Sequence, residues 1–563
     1  MTAPVTTGAP GAPPRMGRWA RAEYARLSAS DGMPLASHDG IRVETDIRVR
    51  ATDGAELLTD HWFAEGAAGT TVLIRTPYGR TGMPGIARFL AERGHHVVIQ
   101  SCRGTFGSGG EFRPLHDEAA DGQAAMAWLR AQPWATGRVH SYGFSYQGVT
   151  QWALCEGPDR PDAMVIGVSA RHFDDAIVYP GGGFAMETVL TWSYALAMQE
   201  RSWPVRMWRL ATALPRVARG ALAIPPEDAV LVALGERAAF FEDWLAHSAP
   251  GDPWWEPLHF ADRPGSTPPV TLLAGWQDLF LLGGFADYRA LRDRGDAVRL
   301  VVGDWTHGSE GTGVVAVREL LRGFEAAAPV SGAPVAEAPV PDAPVRIEVT
   351  GGPGWLDLED WPPRSEPRTW MLRPGGALSE GAADPGESTV TYRYEPADPT
   401  PEAGGRTLNP FVFGRRDQRP RERRADVLVF TSDPLDDDLT VIGDPELELT
   451  FSSTAPRPDV FVRVCVVDEK GVSLPVSDGF RRLNAEVAPG GHRRVLLELA
   501  PMAHRFAAGR RIRVQVSSGS HPMFLRNAGT PDPLHDFTRL VPSEQTVVLG
   551  GREPSALRLP VAG

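Results

Sequence analysis

Apolar positions divide the chain into three stretches of different character. From Ile41 they alternate with polar ones through Val49, turn at Asp53-Gly54, and alternate again from Glu56 to Phe63, which predicts a hairpin at the edge of a sheet. Two runs apolar enough for central strands follow, 71–75 and 96–100, with a helical segment between them. Strand, helix and strand again is the rhythm of a parallel sheet buried on both faces. It continues through a helix at 118–129, a strand ending at Gly143 and a strand at 164–168. From about Phe173 to Asp262 strands disappear. Residues 183–199, 205–218 and 227–247 read as helices bounded by Pro204 and by Pro225-Pro226, a block predicted to lie over the sheet as a lid. Strands resume at 270–274 and 298–302.

Beyond an Ala/Pro/Val-rich segment, read as an extended linker, every element reads as a strand: 345–349, 447–451, 460–467, 495–499 and 512–516. The expected division is an N-terminal extension (1–40), an α/β domain in two parts (41–172 and 263–328), a helical cap between them (173–262), a linker (329–344) and a jelly-roll β-sandwich (345–563).

At 563 residues the chain is too long for one core, and 42% hydrophobic content with 16 tryptophans supplies ample apolar surface to bury. The net charge is −13, Lys470 is the only lysine, and no basic block occurs, which argues against nucleic acid or an anionic membrane as partner. The expected ligands are small and not polyanionic, and a homodimer is allowed. Cys102, Cys155 and Cys465 are scattered and odd in number, suiting buried thiols rather than disulfides or a zinc site. With no apolar leader and no run of 18 apolar residues, the cytoplasm is the expected compartment. The glycine-rich stretch from Ser101 to Gly110 matches neither a dinucleotide fingerprint nor a P-loop. No cofactor or metal is expected.

Chemistry concentrates at Tyr142-Gly143-Phe144-Ser145-Tyr146-Gln147-Gly148, where a strand end meets a helix start. A tight strand-to-helix turn pushes a serine hydroxyl out at the top of a sheet, beside helix N-terminal amides. Here the second glycine comes one residue later than in G-x-S-x-G. Serine needs a base and a group to orient that base. Asp278 and His307 each follow a late strand, on the sheet edge where Ser145 sits, and the order Ser145, Asp278, His307 is that of α/β-hydrolases. Asp304 is the rival orienter. The Tyr146 backbone N–H and the Tyr78 hydroxyl are candidate oxyanion donors. Trp192 in the lid and Trp152 on the helix after Ser145 are the tryptophans expected to line a substrate pocket, and Asp174 and Asp175 are the only nearby carboxylates for a substrate ammonium.

Several motifs together resemble the CocE/NonD hydrolases, a group that includes X-Pro dipeptidyl-peptidases and α-amino-acid ester hydrolases. They are Thr76-Pro77-Tyr78, Gln100-x-x-Arg103-Gly104-x-x-Gly107-x-x-Gly110-x-Phe112, Trp128-Leu129-x-x-Gln132-Pro133-Trp134, the elbow itself, Gly275-Trp276-x-Asp278-x-Phe280 and Gly303-x-Trp305-Thr306-His307-Gly308. The likeness continues in Asp459 to Arg463 and in Ser517 to Asn527. The resemblance implies an α/β hydrolase fold with an inserted helical cap and a C-terminal all-β jelly-roll (galactose-binding-like) domain. It implies Ser145, Asp278 and His307 as triad, Tyr78 and Tyr146 as oxyanion hole, and Phe280 in an acyl pocket. It also accounts for the late glycine, since the family's elbow reads G-x-S-Y-x-G. Ser101 and His140 depart from the family's usual Asp and Gly, and the proline-rich linker looks longer than usual. The large N-terminal domain of the X-Pro peptidases has no room in 40 residues.

The expected activity is hydrolysis of a small-molecule carboxylic ester, or an activated amide, through an acyl-enzyme. Alternatives are an acyltransferase with the same triad, a dipeptidyl-peptidase or α-amino-acid ester hydrolase, and a non-catalytic binding protein.

Overall fold

The computed structural model describes residues 10–135, 137–326, 343–483 and 491–563. Ten strands form one sheet in the order β1-β2-β4-β3-β5-β6-β7-β8-β9-β10. They are β1 (Ile41–Arg50), β2 (Glu56–Ala64), β3 (Thr71–Thr76), β4 (His96–Ser101), β5 (Val139–Phe144), β6 (Ala163–Gly167), β7 (Val270–Gly275), β8 (Val298–Gly303), β9 (Val345–Val349) and β10 (Gly354–Leu358). β3 through β9 run parallel. β1, β2 and β10 are antiparallel additions at the edges. Every residue of β3 and β4 is buried, whereas β1 buries about every other residue. Apolar runs therefore mark the centre of the sheet and alternation marks its rim.

Successive side chains of a strand point to opposite faces, which sorts the helices into two layers. Val72 and Ile74 pack with α1 (Arg18–Ala29), α2 (Pro84–Ala91) and α11 (Glu310–Ala326). Leu73, between them, packs with α3 (Glu118–Arg130) and the end of α4 (Tyr146–Leu154). Among the described residues no helix is long and apolar enough to cross a membrane, and all three cysteines are buried and unpaired.

The cap comprises α5 (Met186–Gln199), α6 (Trp203–Ala211), α7 (Ala213–Ala221), α8 (Ala229–Leu234) and α9 (Ala239–Ala246), and α10 (Leu281–Asp293) follows β7. The helix expected at 205–218 is two helices. Pro215 has no N–H for the carbonyl of residue 211, and α6 ends there. The helix expected at 227–247 is broken by Gly235, which adopts φ 82° as a left-handed C-cap.

One boundary needs correction. The strand at 345–349, expected to open the β-sandwich, is β9, which pairs with β8 and, with β10, extends the α/β sheet. Its alternating burial shows that one face is covered, and such a pattern carries no information on which sheet a strand joins. The expected linker at 329–344 lies outside the described residues, apart from its last two. Among the described residues the C-terminal domain proper holds thirteen strands, from β11 (Ser365–Arg373) to β23 (Ala556–Ala562), around a core that includes Leu447, Leu449, Val460, Val462 and Val464.

Candidate active site

β5 ends at Phe144 and α4 begins at Tyr146, so a single residue, Ser145, makes the turn. It does so at φ 57°, ψ −128°, a conformation that L-residues avoid. The surroundings hold it there. Its N–H donates to the carbonyls of Gly167 (2.9 Å) and Val168 (3.1 Å), and its own carbonyl accepts from the Gly148 N–H at 2.8 Å. The late glycine has a physical reason: a Cβ at Gly148 would lie 2.4 Å from Ser169 Cβ and 2.9 Å from Ile166 Cγ2, so α4 could not approach β6. Gln147 was not singled out from sequence, yet it stitches the elbow to its neighbour. Its Oε1 accepts from Phe144 N–H at 3.2 Å and its Nε2 donates to Thr76 Oγ1 at 3.1 Å. Thr76 Oγ1 accepts in turn from the Tyr78 N–H at 3.1 Å, so one hydroxyl links the two candidate oxyanion segments.

The strand ends carry the rest. His307 follows β8, in a loop folded by the Ser309 hydroxyl, which accepts from the Thr306 N–H at 2.8 Å. That loop crosses the end of β7 closely: a Cβ at Gly275 would lie 2.4 Å from the Trp305 carbonyl oxygen. His307 Nε2 stands 3.1 Å from Ser145 Oγ, and His307 Nδ1 stands 2.8 Å from Asp278 Oδ2. Asp278 is fully buried, and its other oxygen accepts from the Phe280 N–H at 2.8 Å. Asp304, the rival orienter, pairs instead with Arg415 at 3.0 Å.

The Tyr78 hydroxyl accepts from Trp192 Nε1–H at 3.2 Å. Burial of that hydroxyl raises its pKa, opposed by the neighbouring Ser145 side chain, by Trp192 and by the Tyr146 N–H, which act to lower it, so the phenol stays neutral and able to donate. The Tyr146 side chain is directed away, accepting from the Leu115 N–H at 2.7 Å and donating to Glu118 at 3.1 Å. That leaves its backbone N–H as the candidate donor.

Facing this edge is a wall of rings. Phe280 stacks on His307 with centroids 5.6 Å apart, and Phe173 bridges from Phe280 (6.1 Å) to Trp192 (6.5 Å) and Trp244 (5.5 Å). Trp192 stacks on Tyr146 at 5.6 Å and on Trp244 at 5.8 Å, with Phe240 packed edgewise at 5.4 Å. Phe173, Phe240 and Trp244 were not legible as site residues, because spacing along a chain does not show which buried aromatics of a lid face the sheet edge. Trp152 is a correction. Its ring is fully buried in the core, and at seven residues into α4 it lies about 10 Å below Ser145 along the helix axis.

The two chain crossings between sheet and cap are joined by a stacked imidazole pair, His172 and His259, with centroids 4.1 Å apart. His172 Nε2 lies 2.8 Å from Asp262, and His259 Nε2 lies 2.9 Å from Asp174. Arg171 pairs with Asp262 as well, at 2.7 Å. His172, His259 and Asp262 could offer three ligand atoms within 4.8 Å, but stacked rings hold their lone pairs parallel rather than convergent, so the group reads as a clamp. Asp174 is committed to His259, and Asp175 is exposed.

The two departures noted in sequence are packing changes. His140 is buried near Phe324 (5.0 Å), with its pKa pushed down to about 4 by burial, and the buried Ser101 lies 3.4 Å from Arg80. A cavity of about 750 Å³ between cap, α10 and β-domain does not reach Ser145. Its arginines Arg289, Arg406 and Arg482 are matched by Asp444, Asp478 and Asp459 at 2.6 to 2.8 Å, and Arg481 and Glu498, which also line it, add one charge of each sign.

Known proteins resemble this chain along most of its length. Residues 53–309 match the X-Pro dipeptidyl-peptidase (S15 family) model, and residues 340–558 match that of the X-Pro dipeptidyl-peptidase C-terminal non-catalytic domain. Cocaine esterase from Rhodococcus sp. (strain MB1 Bresler) is 30% identical, over 92% of this chain and 98% of that protein. An aminopeptidase from a marine sediment Thaumarchaeota archaeon (TM-score 0.77) and an α-amino-acid ester hydrolase (TM-score 0.76) share the fold at 22% identity, each over 95% of this chain and 99% of that one. With cocaine esterase aligned along nearly its whole length, and Ser145, His307 and Asp278 in hydrogen-bonded sequence, the chain belongs to the CocE/NonD family of serine hydrolases.

Proposed function

We propose that Ser145, His307 and Asp278 carry out ester hydrolysis through an acyl-enzyme, with Tyr78 and the Tyr146 N–H as oxyanion donors. One observation supports this above the others: the 3.1 Å and 2.8 Å contacts that join hydroxyl, imidazole and carboxylate at one sheet edge. Asp278 accepts from His307 Nδ1–H, which leaves Nε2 to take the Ser145 proton. Ser145 Oγ then attacks the ester carbonyl. The oxygen that becomes negative lies between the Tyr146 N–H and the Tyr78 O–H, and these dipoles are fixed before charge develops. Collapse expels the alcohol, protonated by His307, and water repeats the sequence in reverse.

The acyl side faces Phe280, Phe173 and Trp192, so we assign it a flat apolar group such as an aryl ring. A substrate ammonium finds little support, since His259 already engages Asp174. That disfavours amino-acid esters and peptides. The buried, unpaired thiols fit the cytoplasm as compartment.

The test is a panel of nitrophenyl esters with acetyl, butyryl, octanoyl, benzoyl and α-aminoacyl groups, with Ser145→Ala as control. We expect benzoyl to lead in kcat/KM and the variant to be inactive on all. A lead for the α-aminoacyl ester would overturn the acyl assignment, and equal turnover by Ser145→Ala would overturn the mechanism.

A further inference from the structure

Cap helix α5 grips the oxyanion loop at two points. Trp192 Nε1 donates to the Tyr78 hydroxyl oxygen at 3.2 Å, and Gln199 Nε2 donates to the Pro77 carbonyl at 2.9 Å. Residues seven apart lie two turns apart on one helix face, so α5 presents both donors to the same strip of chain. The indole that touches Tyr78 also stacks on Tyr146, 5.6 Å between centroids and 23° between planes. One side chain from the cap therefore contacts both residues that carry the oxyanion donors.

α5 is itself held. Glu187, in its first turn, is fully buried and accepts from the Leu408 N–H at 3.1 Å and from the Thr407 hydroxyl, both on the β-domain. Trp244 lies parallel to Trp192 at 5.8 Å and 5°. The helix is thus pinned from the β-domain at one end and delivers its donors to the catalytic edge at the other.

A phenol oxygen that accepts a hydrogen bond polarises its own O–H and loses freedom about the C–O bond. With Trp192 occupying the Tyr78 oxygen, the O–H is left for Ser145 and for the oxygen that becomes anionic there. Trp192 was expected to act as pocket wall. We propose that it is a positioning residue of the oxyanion hole, which acts through the Tyr78 hydroxyl, with Gln199 fixing the same loop from below. The proposal rests on Tyr78 being an oxyanion donor, and the experiment tests the two separately.

The experiment measures kcat and KM for wild type, Trp192→Phe, Tyr78→Phe and the double variant on a nitrophenyl benzoate. Phenylalanine keeps a ring over Tyr146 but lacks the N–H and part of the indole's contact area, and the Tyr78→Phe background separates the two losses. We expect Trp192→Phe to lower kcat about 10-fold with KM nearly unchanged, and to change it less than about twofold once Tyr78 is phenylalanine. Gln199→Ala leaves the pocket wall intact and carries the test alone if the tryptophan variant fails to fold. Its expected loss is about threefold in kcat, again only when Tyr78 is present. An equal loss in both backgrounds, or a loss confined to KM, overturns the proposal. Wild-type kcat in Tyr78→Phe overturns the assignment of Tyr78, and the proposal falls with it.

Discussion

The catalytic edge of the sheet and the cap that covers it meet at Ser145 but are built by opposite rules. On the edge, each polar group has a named partner: Ser145 with His307 at 3.1 Å, His307 with Asp278 at 2.8 Å, Asp278 with the Phe280 N–H at 2.8 Å. On the cap, contact runs from ring to ring at 5.4 to 6.5 Å, at interplanar angles from 5° to 65°. A hydrogen-bonded relay fails when one member moves by about 1 Å, whereas dispersion between rings falls off gently and tolerates repacking. The edge holds the reacting groups, and the rings of the cap are the part proposed to select the acyl group.

The largest effect that sharpens this contrast is at Asp278. Asp278→Asn keeps the shape and presents the wrong hydrogen-bonding partner to His307 Nδ1, so kcat should fall roughly 10⁴-fold with little change in melting temperature. A loss under tenfold would mean that His307 is oriented by something else. Next comes Tyr78→Phe, which removes one oxyanion donor and should cost about 10²–10³ in kcat at similar KM.

Smaller changes are expected from the rings. Phe280→Ala should leave acetyl ester turnover within about threefold while lowering the benzoyl-to-acetyl preference roughly tenfold, as expected for lost apolar contact. If both esters fall together, the ring's stacking on His307 is its main role and the division between edge and cap is less clean.

The smallest effect is at the cap clamp. The hydrogen bond that His259 donates to Asp174 raises the His259 pKa above 6.5, against burial. Burial pushes Asp174 up, but the His259 hydrogen bond and charge outweigh it and bring the carboxyl below 3.8. A raised histidine contributes stability below its unfolded pKa and loses it as pH rises through the folded value. A lowered carboxylate contributes above its unfolded pKa and loses it as pH falls. The melting-temperature gap between wild type and His259→Gln should therefore be widest between about pH 4 and 6.5 and shrink above. A gap independent of pH would show that the pair is held by stacking alone.

How much of this could be read from sequence follows from the same contrast. Ser145, Asp278 and His307 stood out because each follows a strand, and parallel strands bring their C-terminal ends to one edge. Tyr78 stood out for the same reason. Gln147, by contrast, looks like any polar residue on a helix, and only coordinates show its side chain turned back to Thr76. Trp152 and Trp192 are alike in sequence, yet one is sealed beneath the elbow and the other donates to Tyr78. Helical periodicity cannot separate them, since α4 is buried on every side. The placement of 345–349 failed for a related reason: alternation says that a face is covered without saying by what.

The most direct test of the account is covalent labelling with a fluorophosphonate followed by peptide mass spectrometry. The account predicts one adduct per chain, on Ser145, formed far more slowly in His307→Gln and absent in Ser145→Ala. Labelling of Ser145→Ala to the same extent as wild type, or wild-type protein left unmodified at Ser145, would contradict it.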